Sequence, residues 1–164
     1  MNKRLPNNYF FECLAAFILL IIIDQSTKIF IAKLMLNNMF ESIGLLPFLN
    51  IVFVRNTGIS FGLFSDGGLL NRYFFTSFSI IVGSILLFIS LLTKEKFMRL
   101  SLIMISSGAI GNAIDRIYFG GVIDFIDFFI YNFHWPAFNF ADIFITIGVI
   151  LLFFENIFGK VRNV

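Results

Sequence analysis

Apolar residues run almost unbroken through four stretches of this chain, and polar residues gather between them. The stretches lie near residues 10 to 33, 69 to 92, 99 to 117 and 140 to 158. Each approaches the roughly 20 mostly apolar residues that a helix needs to cross a bilayer. The pattern predicts four transmembrane helices. "TKEKFMR" makes a short charged loop between the second and the third. Two longer connections remain, about residues 34 to 68 and 118 to 139. In the first, "FLNIVFVRNTGISFGLF" is rich in β-branched and aromatic residues, with Gly58 and Gly62 as punctuation. That predicts a small strand-rich layer. Such backbone cannot turn open edges to lipid tails, so the layer belongs at the membrane interface or against protein.

Composition sharpens this picture. Of 164 residues 59% are hydrophobic and 13% charged, where a soluble domain carries roughly a quarter charged residues. The mean hydropathy is +0.92. One polytopic membrane domain over residues 1–164 is the expected unit, since the spans leave little chain for a second core. A net charge of +2 is too small to imply a nucleic-acid partner. The N-terminus imitates a signal peptide, with Lys3 and Arg4 before the apolar run from Phe10 to Ile23. No small-x-small cleavage site follows, so the run reads as a retained first span.

The basic residues give an orientation. With four spans, both termini share a side with the 93–99 loop. That side holds Lys3, Arg4, Lys94, Lys96, Arg99, Lys160 and Arg162, and the other holds Lys28, Lys33, Arg55, Arg72 and Arg116. The positive-inside rule then puts both termini in the cytoplasm and the two long connections, with the β-rich layer, on the extracytoplasmic face.

The acids carry the candidate chemistry. Three of the ten, Asp115, Asp124 and Asp127, fall in "GNAIDRIYFGGVIDFIDF". Asp24 lies about 21 Å along the first span, Asp115 about 24 Å along the third, and Asp142 starts a fourth span that runs inward for about 27 Å. All three estimates converge on the outer end of a bilayer about 30 Å thick. Asp124 follows the third span on the same side. Asp127 reads as a residue of the water interface, as do Glu41 and Asp66. His134 and Trp135 suit an aromatic interfacial belt. Asp24, Asp115 and Asp142 sit among apolar residues with polar company: Gln25 and Lys28, Asn112 and Arg116, Asn139. Ionisable residues within spans are costly and usually functional.

Several chemistries drop out. The single Cys13 allows no intramolecular disulfide, and His134 stands alone, so no Ser–His or Cys–His pair and no His-based zinc site is expected. "GAIG" in the third span is a small-x-x-small packing face. Carboxylates remain. Two of them can share one proton. The ionised one takes a proton from water and the protonated one polarises a peptide carbonyl, chemistry that needs no metal or cofactor. A carrier or proton-relay subunit would need acids spread through the depth of the spans, which these lack. A non-catalytic anchor would not need acids to converge.

The motifs also resemble a family. "DQSTK" (24–28), "NTGISFG" (56–62), "GNAIDR" (111–116), "VIDF" (122–125) and "FNFAD" (138–142) are similar, in order, to the blocks of lipoprotein signal peptidase, also called signal peptidase II. The resemblance implies an aspartic endopeptidase of the bacterial cytoplasmic membrane. It would remove signal peptides from prolipoproteins, just before a cysteine carrying diacylglycerol. It implies Asp124 and Asp142 as the catalytic pair, a choice that spacing alone leaves open between Asp115 and Asp124. It implies that Asn112, Asp115, Arg116 and Asn139 hold and polarise the pair. Arg55, Asn56 and Gly58 would line the substrate path, and Asp24 and Lys28 would brace the first helix. No cofactor is implied. The implied partners are diacylglyceryl-modified prolipoproteins, membrane lipid and cyclic peptide inhibitors such as globomycin, with the chain acting as a monomer.

Overall fold

In the computed structural model, residues 7–58 and 68–162 are described, with side chains from 9–58 and 68–157. Lys3, Arg4, Asp66 and residues 59–62 of "NTGISFG" lie outside the described residues, as do the side chains of Lys160 and Arg162.

Four helices form where the apolar runs predict them: α1 (Asn7–Asn37), α2 (Gly68–Leu92), α3 (Lys96–Phe119) and α4 (Phe140–Arg162). Each is long and apolar enough to cross a membrane, and their apolar side chains point outward along most of their length. Outward apolar faces mark a fold whose solvent is lipid. α3 is the exception. Half of its apolar window is buried inside the protein, against less than a fifth in the other three. It packs on α1, α2 and α4 at once.

The sequence explains why α3 takes the centre. Its buried face carries Ser101, Ser106, Ser107, Gly108, Gly111 and Ala113. Small residues let helix backbones approach closely, the main source of packing energy where no water drives association. A Cβ on Gly111 would stand 2.7 Å from Asp24 Oδ2, and one on Gly83 of α2 would stand 2.9 Å from the Ile110 side chain. The Ser106 hydroxyl donates to the Gly83 carbonyl at 2.6 Å. α3 ends at Gly120, whose φ of 75° is the left-handed turn that stops a helix. Two carbonyls of the last turn, those of Arg116 and Ile117, accept from the Arg72 guanidinium at 2.7 and 2.6 Å.

The expected β-layer is present and larger than expected. β1 (Ile43–Leu46), β2 (Leu49–Asn56), β3 (Val122–Ile130) and β4 (Phe133–His134) form an antiparallel sheet in that order. The second connection, read from the sequence as a plain link, supplies half of it. Sheet and bundle are joined where Phe125 of β3 packs on Ile31 and Met35 of α1. Pairing of β2 with β3 slips by one residue between Ile51 and Val54, where β2 carries a bulge.

Candidate active site

The start of α4 builds one half of the site. "NFAD" is a capping box: Asn139 Oδ1 accepts from the Asp142 backbone N–H at 3.0 Å, and Asp142 Oδ2 accepts from the Asn139 N–H at 3.3 Å. The helix start therefore fixes the Asp142 carboxylate. It also sets Asn139 Nδ2 free to donate elsewhere, and it does so to Asp124 Oδ1 at 2.6 Å. A third acceptor arrives from α1, where Asp24 Oδ1 takes the N–H of Ala141 at 2.9 Å.

β3 supplies the other half. Asp124 is 2% exposed and accepts a second bond, from Asn56 Nδ2 at 3.1 Å. The side-chain oxygen of Asn56, Oδ1, accepts from the Gly58 N–H. Burial pushes the Asp124 carboxyl up to about 7, and the negative charge of Asp142 adds to the rise. The donors on Asn56 and Asn139 oppose it. Asn112 Nδ2 donates to Asp142 Oδ1 at 2.9 Å, and Asn112 Oδ1 lies 3.4 Å from Asn139 Nδ2. Two adjoining carboxamides thus link the two carboxylates.

Beneath this pair lies a buried ionic cluster. Lys28 Nζ meets Asp24 Oδ2 at 2.8 Å, Asp115 Oδ2 at 2.9 Å and Asn112 Oδ1 at 3.1 Å. The Gln25 amide reaches Asp115 Oδ1 at 2.9 Å. Asp115 Oδ2 accepts the backbone N–H of Ile123, so the same cluster pins β3 beside α3. Asp24 and Asp115, which helix length places at one depth, are brought together here, and Asp142 lies one contact away.

The pair faces a cavity of about 970 Å³ between α2, α3, α4 and residues 135–138. Phe74, Phe78, Val82, Ile143 and Ile147 line it, and Asn56, Asn112, Arg116, Asp124 and Asp142 form its polar end. Arg116 donates to the carbonyls of Gly58 and Asn112, and its Nε is buried without a partner among the described residues. Its charge acts on Asp142 and Asp124.

Of the residues singled out from the sequence, Asp24, Lys28, Asn56, Gly58, Asn112, Asp115, Arg116, Asp124, Asn139 and Asp142 form one connected group. Arg55 does not join it. It is exposed, and as the strand neighbour of Asn56 it points to the opposite face. Asp127 is a correction. Read as a solvated interface residue, it is 7% exposed and accepts from Asn50 Nδ2 at 3.0 Å and contacts His134 Nδ1 at 2.8 Å. Register decides this: Asn50 pairs with Asp127 across β2 and β3, and Phe129 with His134 across β3 and β4. The bulge matters here too. Asp124 and Asp127, three apart, point to opposite faces of β3. Asn50 and Asn56, six apart, would share a face of a regular strand. The extra residue lets each asparagine reach its own aspartate.

Comparison with known proteins adds relatives of known name and fold. Residues 16–158 match the family model described as signal peptidase (SPase) II. A protein of Pelagibacter ubique named lipoprotein signal peptidase is 40% identical over 161 residues, spanning 96% of this chain and 94% of its own. One of the same name from Thermodesulfovibrio yellowstonii is 41% identical over 139 residues, spanning 85% and 90%. A solved structure described as a bacterial membrane enzyme superposes with a TM-score of 0.78 at 33% identity, covering 99% of this chain and 95% of that one.

Proposed function

The chain belongs to the signal peptidase II family, and on that premise we propose that it removes the signal peptide from diacylglyceryl-modified prolipoproteins with Asp124 and Asp142 as an aspartic dyad. The observation that carries the chemistry is the pair itself. Two carboxylates share a link of two asparagine amides at the polar end of an apolar cavity.

Asp124, pushed up to about 7, holds the proton of the pair below neutrality. Asp142 then takes a proton from a water molecule as the water oxygen attacks the scissile carbonyl carbon. Asp124 gives its proton to the carbonyl oxygen, yielding a neutral tetrahedral diol. Collapse passes a proton to the amide nitrogen and breaks the C–N bond. The signal peptide leaves with a new carboxyl end, and the lipidated cysteine keeps a free amine. The donors on Asn56, Asn112 and Asn139 hold both carboxylates still through the cycle, which is where positioned groups contribute most.

The substrate chemistry suits the cavity. A signal peptide is an apolar segment, matched by the Phe and Ile walls. A diacylated cysteine keeps its bond at the membrane surface, at the depth of the sheet. In this reading the termini are cytoplasmic, the sheet lies on the outer side of the bacterial cytoplasmic membrane, and one copy of the chain suffices. Cyclic peptides such as globomycin would occupy the same cavity. Reporter fusions after residue 96 and at the C-terminus are expected to report cytoplasm, and fusions near residues 45 and 130 the outer side. A single inverted reporter would reverse the assignment.

The direct test is cleavage followed against pH. The purified protein is expected to release the signal peptide, detected by mass, with a bell-shaped profile. Activity falls on the acidic side as the base gains a proton. It falls on the alkaline side as pH rises through about 7, where Asp124 loses its proton. EDTA is expected to leave the rate unchanged. A profile flat across both limbs, or loss to EDTA with recovery on adding zinc, rules the dyad out.

A further inference from the structure

We propose that Lys28 is a positioning residue for the carboxylate pair, acting through the Asn112 carboxamide. The inference rests on the dyad reading above and adds to it the group that sets which way an amide points.

Three asparagines donate to the pair, and each donates only in one of its two amide orientations. A flipped amide would present an oxygen to a carboxylate oxygen. For Asn56 the orientation is set by the Gly58 N–H, which needs an acceptor. For Asn139 it is set by the Asp142 N–H. Both locks are backbone donors within three residues of the asparagine. Asn112 differs. It lies inside α3, and no backbone N–H holds its oxygen among the contacts of the described residues. What faces that oxygen at 3.1 Å is Lys28 Nζ, from α1 and 84 positions away.

An ammonium has three donors and no acceptor. All three protons of Lys28 have acceptors: Asp24 Oδ2, Asp115 Oδ2 and Asn112 Oδ1. The group is 1% exposed, so no water competes for these contacts. Turning Asn112 over would put its NH2 against the ammonium. The oxygen therefore faces Lys28, and Nδ2 faces Asp142 at 2.9 Å. The other contact on the oxygen, from Asn139 Nδ2, is long at 3.4 Å. Lys28 itself makes no contact with Asp124 or Asp142 among those of the described residues. The charged groups around the amide are Asp24 and Lys28 of α1, Asp115 and Arg116 of α3, Asp124 of β3 and Asp142 of α4. Lys28 thus does more than brace the first helix: it carries the α1 position into the geometry of the pair through one rotatable amide.

Loss of the lock would let the amide turn, removing a donor from the ionised pair. The rate constant would fall and the acidic limb would move to higher pH. KM, set by the apolar cavity, would stay.

The test is a double-mutant cycle on the full-length protein in detergent, with a diacylglyceryl-modified prolipoprotein as substrate. Lys28→Met alone leaves two buried carboxylates unpaired, so it is made in an Asp115→Asn background, which is also the control. Relative to that control, Lys28→Met is expected to lower kcat by roughly 10²-fold, the scale of misplacing a catalytic group by about 1 Å. KM is expected to hold and the acidic limb to rise. With Asn112→Ala added to the Asp115→Asn background, the same change is expected to alter kcat within about twofold, since the amide is gone and only the charge of Lys28 acting on Asp124 remains. Equal losses in both backgrounds, or a loss confined to KM, overturn the proposal. If the lysine variants do not fold, Asn112→Asp decides. It keeps an acceptor for Lys28 but offers Asp142 no donor, so it is expected to fold and to lose kcat. Full activity in folded Asn112→Asp overturns the proposal. Asp142→Asn separates the two readings: an active protein sinks the dyad and this inference together, and an inactive one with an additive cycle sinks this inference alone.

Discussion

Asp124→Asn and Asp142→Asn are each expected to abolish prolipoprotein cleavage, by about 10⁴-fold or more, in a protein that still inserts and folds. The size follows from the division of labour. Neither the attack by water nor the protonation of the carbonyl proceeds with one carboxylate alone. The double mutant is expected to be no worse than either single one, because the two act as a unit. Asp124→Asn also has a structural cost. Both Asp124 oxygens accept from amide NH2 groups, on Asn139 and Asn56. An NH2 placed there meets a donor and leaves about 1–3 kcal/mol of unpaired polar group. Stability must therefore be measured beside activity. Wild-type-like turnover in either variant defeats the assignment. Asp127→Asn is the comparison: its bonds run to Asn50 and His134, away from the pair, and most activity is expected to remain.

Gly108→Val is expected to inactivate the enzyme from a position that touches no substrate. A Cβ at Gly108 would strike the Ala141 carbonyl oxygen and come within 2.7 Å of Ile145 Cγ1. A backbone oxygen cannot swing aside, so α4 must move off α3. Overpacking of this kind costs typically about 1–3 kcal/mol. The catalytic cost is larger, because Ala141 precedes Asp142 in the first turn of α4. Moving that turn stretches the 2.9 Å bond from Asn112, and a misplacement of about 1 Å can cost about 10²-fold in rate. Thermal melting and turnover measured on one preparation check both. Full activity with α4 displaced would mean that the link between Asn112 and Asp142 is dispensable.

The four spans were legible because a lipid-facing helix must be apolar nearly all round, and no other element needs so long a run. A packing face on α3 was legible in "GAIG", but not its central place. β3 was not. Its acids, three apart, break the alternation that marks a half-buried strand, and Val122, Ile123 and Phe125 are buried on both faces. The run of β-branched and aromatic residues was the remaining signal. The capping box in "NFAD" went unread, although an Asn three residues before an Asp opens an apolar run there. The choice of Asp124 over Asp115 was not available from spacing, because it depends on sheet register. What separates them in the structure is partnership: Asp115 is neutralised by Lys28, whereas Asp124 faces a cavity with amide donors alone. Asp127 was misjudged for the same reason, as its contacts with Asn50 and His134 cross three strands.

The bulge in β2 turns the course of that strand into a chemical variable. Straightening the ladder at unchanged length would put Asn50 and Asn56 on one face, so Asn56 would turn its amide away from Asp124 while Asn50 kept its hold on Asp127, and Asp124 would keep only the Asn139 donor. Removing one residue between Ile51 and Val54 would also straighten the ladder, yet it leaves the two asparagines five apart, on opposite faces, each still on its own aspartate. At this point β2 therefore tolerates the loss of a residue better than a substitution that irons out the bulge.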